Sequence, residues 1–254
     1  MFQPAGPVFS VIIPVHNAKA TLGAALASLQ AQTETRWEAF VIDDASTDGS
    51  LDLARAAAAR DPRLQVIHYP QTRPRGAAAS RNLGIARAQG HYLALLDADD
   101  LWRPGKLAAQ LAAFETGADI VFTSYRRIDP AGRDIGIVSA PARVTWTDAL
   151  SGNPIGALTA AWRRARFPQA RMPLRDMHED YAFWLMLLRD GAVAQGLPEV
   201  FADYRVHVHS ASANKARAAR AVWSILGTQD LSMSERARYF LRYASRSVSR
   251  RFRA

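Results

Sequence analysis

The chain has 254 residues, of which 49% are hydrophobic, and carries a formal net charge of +9, so it can build one large domain or a domain with an appendage. Cysteine is absent, which excludes a disulfide framework and a thiolate metal site. No stretch approaches the roughly 20 apolar residues of a membrane-spanning helix, and the N-terminus lacks a signal-peptide pattern, so we expect a cytoplasmic protein.

Strands and helices alternate through the first half of the chain. Short apolar runs rich in β-branched residues predict strands at Phe9–Val15, Glu38–Asp43, 63–69, 91–97 and 119–125. Helical spacing of apolar residues predicts helices at 18–32, 46–61, 75–90 and 103–117. This alternation predicts a doubly wound, mostly parallel α/β sheet of the Rossmann-like type.

Local signals predict where two of these helices begin. Ser46 is expected to be the N-cap of the second helix, and Pro104 is expected to lie in the first turn of the fourth helix.

The pattern becomes less regular after residue 125. The segment 125–138 predicts a hairpin around "DPAGRD", and "HEDYAFWLMLL" predicts an apolar helix with an acidic first turn at His178–Asp180. One further strand is predicted within 199–212.

The basic charge is concentrated in the C-terminal tail. Residues 211–254 contain ten Lys and Arg against two acidic residues, for a net charge of +8, which leaves +1 for the rest of the chain. The segment 235–254 predicts an amphipathic helix with its apolar face formed by Ala237, Phe240, Leu241, Ala244, Val248 and Phe252. The arginines of the other face are Arg238, Arg242, Arg246, Arg250 and Arg253, and Arg251 interrupts the apolar side. The pattern fits either a helix on anionic lipid or a helix packed on the domain, and the charge favours lipid.

Two acidic clusters follow predicted strands, where ligands bind in parallel α/β sheets. "DDASTDGS" comes directly after the second strand and "DADD" after the fourth. Asp97 and Asp99 could together bind a hard divalent cation with phosphates as the other ligands. The alternative is a solvated turn, and Asp100 is expected to cap the next helix. Neither a GxGxxG fingerprint nor a P-loop is present.

Taken together and in this order, these segments resemble the family 2 glycosyltransferases, which have the GT-A fold. The matching pieces are "SVIIPVHNAKATLGAALASLQAQT", "VIDDASTDGS", "RGAAASRNLGIARAQGHYLALLDADD" and "HEDYAFWLMLL". The resemblance implies a catalytic domain at 1–210, with a nucleotide-sugar half at about 8–125 and an acceptor half at about 126–210. A basic helical extension at 211–254 would follow.

The resemblance implies that the first half binds a nucleoside-diphosphate sugar, with UDP the expected nucleotide. The residues implied in nucleotide binding are Pro14, Val15, His16, Asn17, Asp44, Arg81 and Asp97. Asp44 would accept the N3–H of the base, a role that suits a carboxylate because it is a pure acceptor.

The resemblance also implies a metal and a general base. Asp99 would be the principal ligand of Mn²⁺ or Mg²⁺, and His207 or His209 would reach the metal or the diphosphate. Asp180 is implied as the base, with Glu179 as the competing assignment. Because the base lies at the mouth of an apolar helix, we expect burial to raise its pKa. Single displacement would invert the anomeric centre of the donor sugar.

Other classes of function remain open. A nucleotidyltransferase would need a basic phosphate loop after the first strand, and "PVHNAKAT" is poor in this respect. A catalytically inactive sugar-binding module would be expected to lack Asp44, Asp99 or Asp180, and all three are present. An acidic crevice disfavours nucleic acid as a partner. The expected acceptor is a glycan or a lipid-linked oligosaccharide, and the basic tail adds a peripheral contact with an anionic membrane.

Overall fold

The computed structural model describes residues 6–68, 73–207 and 215–249. In these ranges the strands are β1 (Phe9–Val15), β2 (Trp37–Asp43), β3 (Leu64–His68), β4 (Tyr92–Leu95), β5 (Leu101–Trp102), β6 (Ile120–Ile128), β7 (Asp134–Val138), β8 (Arg143–Val144), β9 (Ala161–Arg163) and β10 (Ala194–Arg205). The α-helices are α1 (Leu22–Gln30), α2 (Ser50–Ala58), α3 (Ala77–Arg87), α4 (Lys106–Glu115), α5 (Trp146–Ala149), α6 (Glu179–Arg189), α7 (Lys215–Leu226) and α8 (Met233–Ser249). The short elements β5, β8, β9 and α5 were not predicted.

The described strands form one open sheet in the order β3-β2-β1-β4-β9-β6-β10-β5, with β7 paired to β6 and β8 paired to β10. Strands β1 to β4 are parallel neighbours, and β6 is parallel to β10. Strand β9 lies antiparallel between β4 and β6 and joins the two parallel halves. The predicted mostly parallel α/β sheet is therefore confirmed, as is the hairpin, which β6 and β7 form.

Both faces of the sheet are buried, which explains the continuous apolar runs of its central strands. Alternate residues of a strand point to opposite faces, and in β1 Ile12 belongs to one core whereas Val11 and Ile13 belong to the other. Helix α3 packs closely on the first of these cores. A Cβ on Gly84 would lie 2.7 Å from the Ile12 side chain, so a glycine allows this contact.

The parallel register brings the carboxyl ends of β1, β2 and β4 together. The last residue of β1, Val15, is paired with Asp43, the last residue of β2. Strand β4 is paired with the other edge of β1 and leads into the acidic turn 97–100. The two predicted acidic clusters therefore lie at the same edge of the sheet.

The predicted start of the second helix is wrong. Helix α2 begins at Ser50 after Gly49, which has a φ of +91°. Ser46 accepts a hydrogen bond from the backbone N–H of Asn17, and Asp48 accepts from the backbone N–H of Ser50. The preceding loop therefore uses its polar side chains to hold the loop after β1.

The acidic turn was also misassigned. Asp100 does not cap α4, because α4 begins at Lys106 after Gly105, and Pro104 precedes the helix. The chain after Asp100 first forms β5, which pairs with β10. Asp100 accepts a 2.7 Å hydrogen bond from the backbone N–H of Arg205 instead. A long-range strand pairing, which the sequence pattern did not reveal, decides the position of this carboxyl.

The C-terminal helices are present and α8 packs on the protein. Tyr239 is buried. Phe240 packs edge-on against Trp223 of α7, with a distance of 5.2 Å between the ring centroids. Leu241, which was predicted on the apolar face, is 67% exposed. The face of α8 that packs on the protein is therefore rotated from the predicted apolar face toward Tyr239 and Tyr243. Tyr239 belongs to the core, and Tyr243 lies against it.

Some predictions for the tail fall outside the described part of the chain. His209, Arg250, Arg251, Phe252 and Arg253 lie outside the described residues. In the described ranges, every helix is either too short or too polar to cross a bilayer.

Candidate active site

A cleft of about 730 Å³ opens at the carboxyl ends of β1, β2 and β4. The residues predicted for nucleotide or metal binding that line it are Pro14, Val15, His16, Asn17, Asp44, Asp97, Asp99 and His207. A smaller chamber of about 230 Å³ is lined by Arg81, Glu179 and Asp180. Asp97 and Tyr204 line both cavities. The structure therefore groups the predicted residues that it describes into two neighbouring spaces.

Asp44 holds together the inner wall of the cleft. Its two carboxylate oxygens accept hydrogen bonds of 2.8 Å from the backbone N–H of Arg75 and 2.7 Å from that of Gly76. Its own backbone N–H donates to the carbonyl of Val15. Asp44 thus joins β1, β2 and the approach to α3. A carboxylate is a pure acceptor, which suits a contact with an N–H donor.

The loop after β1 is held by short polar contacts. His16 Nδ1 lies 2.7 Å from the carbonyl oxygen of Asp44. A carbonyl can only accept, so Nδ1 carries the proton in neutral His16 and Nε2 is left as an acceptor. Asn17, at a φ of +50°, accepts a 2.8 Å hydrogen bond from the backbone N–H of Thr47. Asn17 therefore shapes the cleft through its backbone and its loop contact.

The acidic turn after β4 is under electrostatic strain. Burial, and then the charge of Asp97, raise the pKa of Asp99 despite its 2.8 Å contact with His207 Nε2. Burial followed by the charges of Asp97 and Asp99 raises the pKa of Asp100 well above its usual range. Asp100 is 1% exposed, and its Oδ2 atom has no hydrogen-bond partner among the described residues. The contact with His207 and the charge of Arg205 oppose these pKa shifts but do not outweigh burial.

The residues at this turn fit a divalent cation that is shared with a diphosphate. Among residues 6–68, 73–207 and 215–249, no three His, Asp or Glu side chains form a ready metal-binding group. Mg²⁺ usually takes only one or two carboxylates and completes its coordination with water and substrate phosphates. Asp99 and His207 can supply an oxygen and a nitrogen ligand at the cleft wall.

Arg81 bridges the cleft and the chamber. It is 5% exposed, with Nη2 donating to Asp97 and Nη1 donating to Glu179, each at 2.6 Å. Burial alone would lower its pKa, but the charges of Asp97 and Glu179 outweigh burial and raise it. The sequence placed Arg81 near the nucleotide diphosphate; in the structure its guanidinium is engaged by these two carboxylates.

Asp180 has the most distinctive environment of the carboxyls in the chamber. Burial, and then the charge of Glu179, raise its pKa from 3.8 to about 6, with Arg81 opposing the shift. Asn153 Nδ2 donates a 2.9 Å hydrogen bond to Asp180 Oδ2. The pKa rise expected for a carboxyl at the mouth of an apolar helix is therefore confirmed. A carboxyl with a pKa near 6 can accept a proton at neutral pH without being too weak a base.

Several site residues were missed by the sequence analysis. Asn153 lies in an irregular segment with no motif, and only its contact with Asp180 identifies it. Tyr204 lies on β10, and burial together with the charge of Asp100 raises its pKa to about 12. Tyr204 therefore stays protonated and can donate from its hydroxyl at the junction of the two cavities. Position-by-position alternation in β10 could have placed Tyr204 on this face, but nothing local marked Asn153.

Comparisons with known proteins place the chain among glycosyltransferases. The sequence model of Glycosyl transferase family 2 matches residues 10–196. TuaG of Bacillus subtilis, a glycosyltransferase ascribed to teichuronic acid biosynthesis, is 35% identical over 248 residues, covering 96% of this chain and 98% of TuaG. The Escherichia coli UDP-Glc:α-D-GlcNAc-diphosphoundecaprenol β-1,3-glucosyltransferase WfgD is 30% identical over 245 residues, covering 92% of this chain and 91% of WfgD. The crystal structure of S. aureus TarS 1–349 with UDP-GlcNAc superposes with a TM-score of 0.73 at 20% identity, covering 95% of this chain and 72% of that one.

Asp180→Asn should stabilise the fold at pH 7–8 and change it little at pH 4. The pKa of Asp180 rises on folding from 3.8 to about 6, so the folded state holds this proton more tightly than the unfolded state. The contribution of this proton to the free energy of unfolding is complete below about pH 3.8 and is lost as the pH rises through about 6. Asparagine avoids that loss, and the gain in unfolding free energy should be on the order of 1–3 kcal/mol. Urea unfolding at pH 4, 6 and 8 measures it.

The matched control for this experiment is Asp52→Asn, because the Asp52 side chain is 87% exposed on α2. It should show no comparable dependence on pH. Equal stabilisation by Asp180→Asn at pH 4 and pH 8 would contradict the proton-linkage explanation.

Proposed function

Since this chain belongs to Glycosyl transferase family 2, we propose that it is an inverting enzyme that moves a sugar from a UDP-sugar to a hydroxyl of a lipid-linked glycan. The observation that supports this most directly is the junction of the two cavities. A cleft with room for a nucleotide meets, at Asp97 and Tyr204, a chamber lined by a carboxyl whose pKa is about 6. Such a pair of spaces suits a donor and an acceptor that react at their boundary.

The donor nucleotide is proposed to occupy the larger cleft. Pro14 and Val15 provide an apolar wall for the base, and Asp44 accepts the N3–H of uracil with an oxygen already ordered by backbone bonds. WfgD is named as a UDP-glucose enzyme, and TarS was crystallised with UDP-GlcNAc. Both names support UDP as the nucleotide.

The diphosphate is proposed to lie against the acidic turn, with Asp99 and His207 as the residues that hold a divalent cation. Bound Mn²⁺ or Mg²⁺ would supply Lewis-acid stabilisation of the charge that develops on the leaving diphosphate. A mannosyltransferase of Pyrobaculum calidifontis with the same fold, at a TM-score of 0.69, was crystallised with GDP-Man and Mn²⁺.

Asp180 is proposed as the general base. The acceptor hydroxyl gives its proton to a carboxylate oxygen of Asp180 while the hydroxyl oxygen bonds to the anomeric carbon of the donor. The bond from that carbon to the diphosphate oxygen breaks on the opposite face, so the configuration inverts. Asn153 orients Asp180 through its 2.9 Å hydrogen bond, and Glu179 is held by Arg81 and is poorly placed to accept a proton.

Asp99→Asn should abolish turnover and weaken UDP binding mainly when Mn²⁺ is present, because the substitution removes the charged ligand. Titration calorimetry of UDP with Mn²⁺ and with EDTA measures the difference. Asp129→Asn, in the β6–β7 hairpin, is the control and should bind UDP like the wild type. Full wild-type activity in EDTA would contradict the metal assignment.

Asp180→Asn should lower the rate by about 10²–10⁴-fold, the range for loss of general base catalysis, while UDP binding stays close to wild type. In the wild type, kcat/KM should fall as the pH drops below about 6, because Asp180 must be ionised to accept a proton. Steady-state kinetics between pH 5 and 8 measures both effects.

Glu179→Gln tests the competing assignment of the base. The substitution removes the partner of Arg81 and should reduce the rate less than Asp180→Asn does. An inactive Glu179→Gln enzyme beside an active Asp180→Asn enzyme would reverse the assignment.

The outer side of α8 is proposed to rest on an anionic membrane surface, which would bring the enzyme to a lipid-linked acceptor. Arg238, Leu241 and Arg242 are exposed, and the guanidinium carbons of the two arginines lie 5.0 and 5.8 Å from the ring centroid of Tyr239. Each basic residue near an anionic surface contributes about 1 kcal/mol. An exposed leucine between two arginines fits the boundary of the headgroup layer.

The double variant Arg238→Glu/Arg242→Glu should lose co-sedimentation with vesicles of phosphatidylglycerol, because two attractions become repulsions. The same reversal at Arg55 and Arg60, which are exposed around the end of α2, is the control and should leave pelleting unchanged. Equal pelleting of the wild type and both variants, or no pelleting by the wild type, would contradict a membrane role for α8.

A further inference from the structure

A third cavity, which we call the arginine groove, lies beside the proposed active site. Its volume is about 540 Å³, and its lining residues include Arg75, Leu174, Arg175 and Arg217. The three arginines come from three separate segments: the approach to α3, the approach to α6, and the first turn of α7. Asp176 and Glu179 also line the groove, so its described lining has three basic residues and two acidic ones.

The arginine groove borders both cavities of the proposed active site. Glu179 lines the groove and also the chamber that contains Asp180. Gly76 and Ala77 line the groove and also the nucleotide cleft. Glu179 is therefore the boundary between the groove and the chamber of Asp180, which places the groove next to the proposed acceptor site.

The chemistry of the arginine groove suits a diphosphate. Guanidinium groups bind phosphate oxygens through paired hydrogen bonds, and the first turn of α3 adds the positive end of an eleven-residue helix. Arg175 Nη1 donates a 3.3 Å hydrogen bond to Ser224, and Arg217 lies 3.4 Å from Asp176, so both side chains are held over the groove. Leu174, at the rim, is 75% exposed and offers an apolar contact for a lipid chain.

We propose that the arginine groove binds the diphosphate that links the acceptor sugar to its lipid carrier, with Arg175 and Arg217 as the principal contacts. This inference rests on the proposed function, since it requires a glycosyl-diphospho-lipid as the acceptor class. The acceptor sugar then lies in the chamber of Asp180, the diphosphate lies in the groove, and the lipid leaves past Leu174. The donor diphosphate has a separate place beside Asp99 and His207.

The test is calorimetric binding of decyl diphosphate to the full-length protein with Mn²⁺ and saturating UDP, so that the donor cleft is filled. Arg175→Ala and Arg217→Ala should each weaken binding on the order of tenfold, the usual effect of losing a hydrogen bond to a charged group. The matched control is Arg55→Ala, because the Arg55 side chain is 60% exposed and faces Asp52, much as Arg217 is 59% exposed and faces Asp176. Arg55→Ala should bind like the wild type, and thermal melts verify that each variant is folded.

Two further measurements separate the alternatives. If pelleting with phosphatidylglycerol vesicles falls in Arg175→Ala while decyl diphosphate binding persists, the groove is a site for lipid headgroups and the proposal is overturned. Equal decyl diphosphate binding by all variants also overturns it. Turnover is measured separately with GlcNAc-diphospho-decane as the acceptor. If decyl diphosphate binds in an arginine-dependent way but the wild type does not turn over this acceptor, the groove assignment is supported. The same result counts against the proposed transfer of sugar to such acceptors.

Discussion

Arg81 lies almost fully buried between Asp97, in the turn after β4, and Glu179, in the first turn of α6, and donates a 2.6 Å hydrogen bond to each. An isolated buried charge is costly, and removing either partner of a buried pair leaves the other uncompensated. The three groups therefore stabilise one another only in this arrangement. Because Asp97 borders the nucleotide cleft and Glu179 borders the chamber, the bridge also sets the position of one cavity relative to the other.

The bridge divides the carboxyls of the site into two electrostatic classes. Asp97 and Glu179 each accept a hydrogen bond from Arg81. For Asp180, which follows Glu179 in the chain, burial and the charge of Glu179 outweigh the charge of Arg81 and raise the pKa to about 6. Pairs of carboxyls whose environments separate their pKa values commonly mark different roles in catalysis. Burial also raises the pKa values of Asp99 and Asp100, despite the contacts of these residues with His207 and Arg205.

Asp180 lies in the first turn of α6, a helix that is firmly packed on the protein. The apolar residues of the helix pack into the core, where Trp184 lies edge-on to Trp162 of β9 with a distance of 5.7 Å between the ring centroids. The Tyr181 hydroxyl donates a 2.8 Å hydrogen bond to the carbonyl of Ala149 in α5. Catalytic groups on packed helices hold their geometry better than groups on loops. The same core reaches the C-terminal helices, since Val222 and Tyr239 belong to it, so these helices pack on the core that holds α6.

By itself, the sequence determined the central strands and the segments that carry the site. The strand Phe9–Val15 has the bounds that were predicted, because a strand buried on both faces needs a continuous apolar run that is visible locally. The positions of Asp44, Asp97 and Asp180 next to such elements were visible for the same reason. Only the tertiary structure decided what these side chains contact. Arg81 and Glu179 are 98 positions apart, and Asp100 and Arg205 are 105 apart, so their pairing depends on how the two halves of the sheet close around β9 and β10. Burial and charge balance, which set the pKa of each carboxyl, are properties of that closed arrangement and leave no local pattern in the chain.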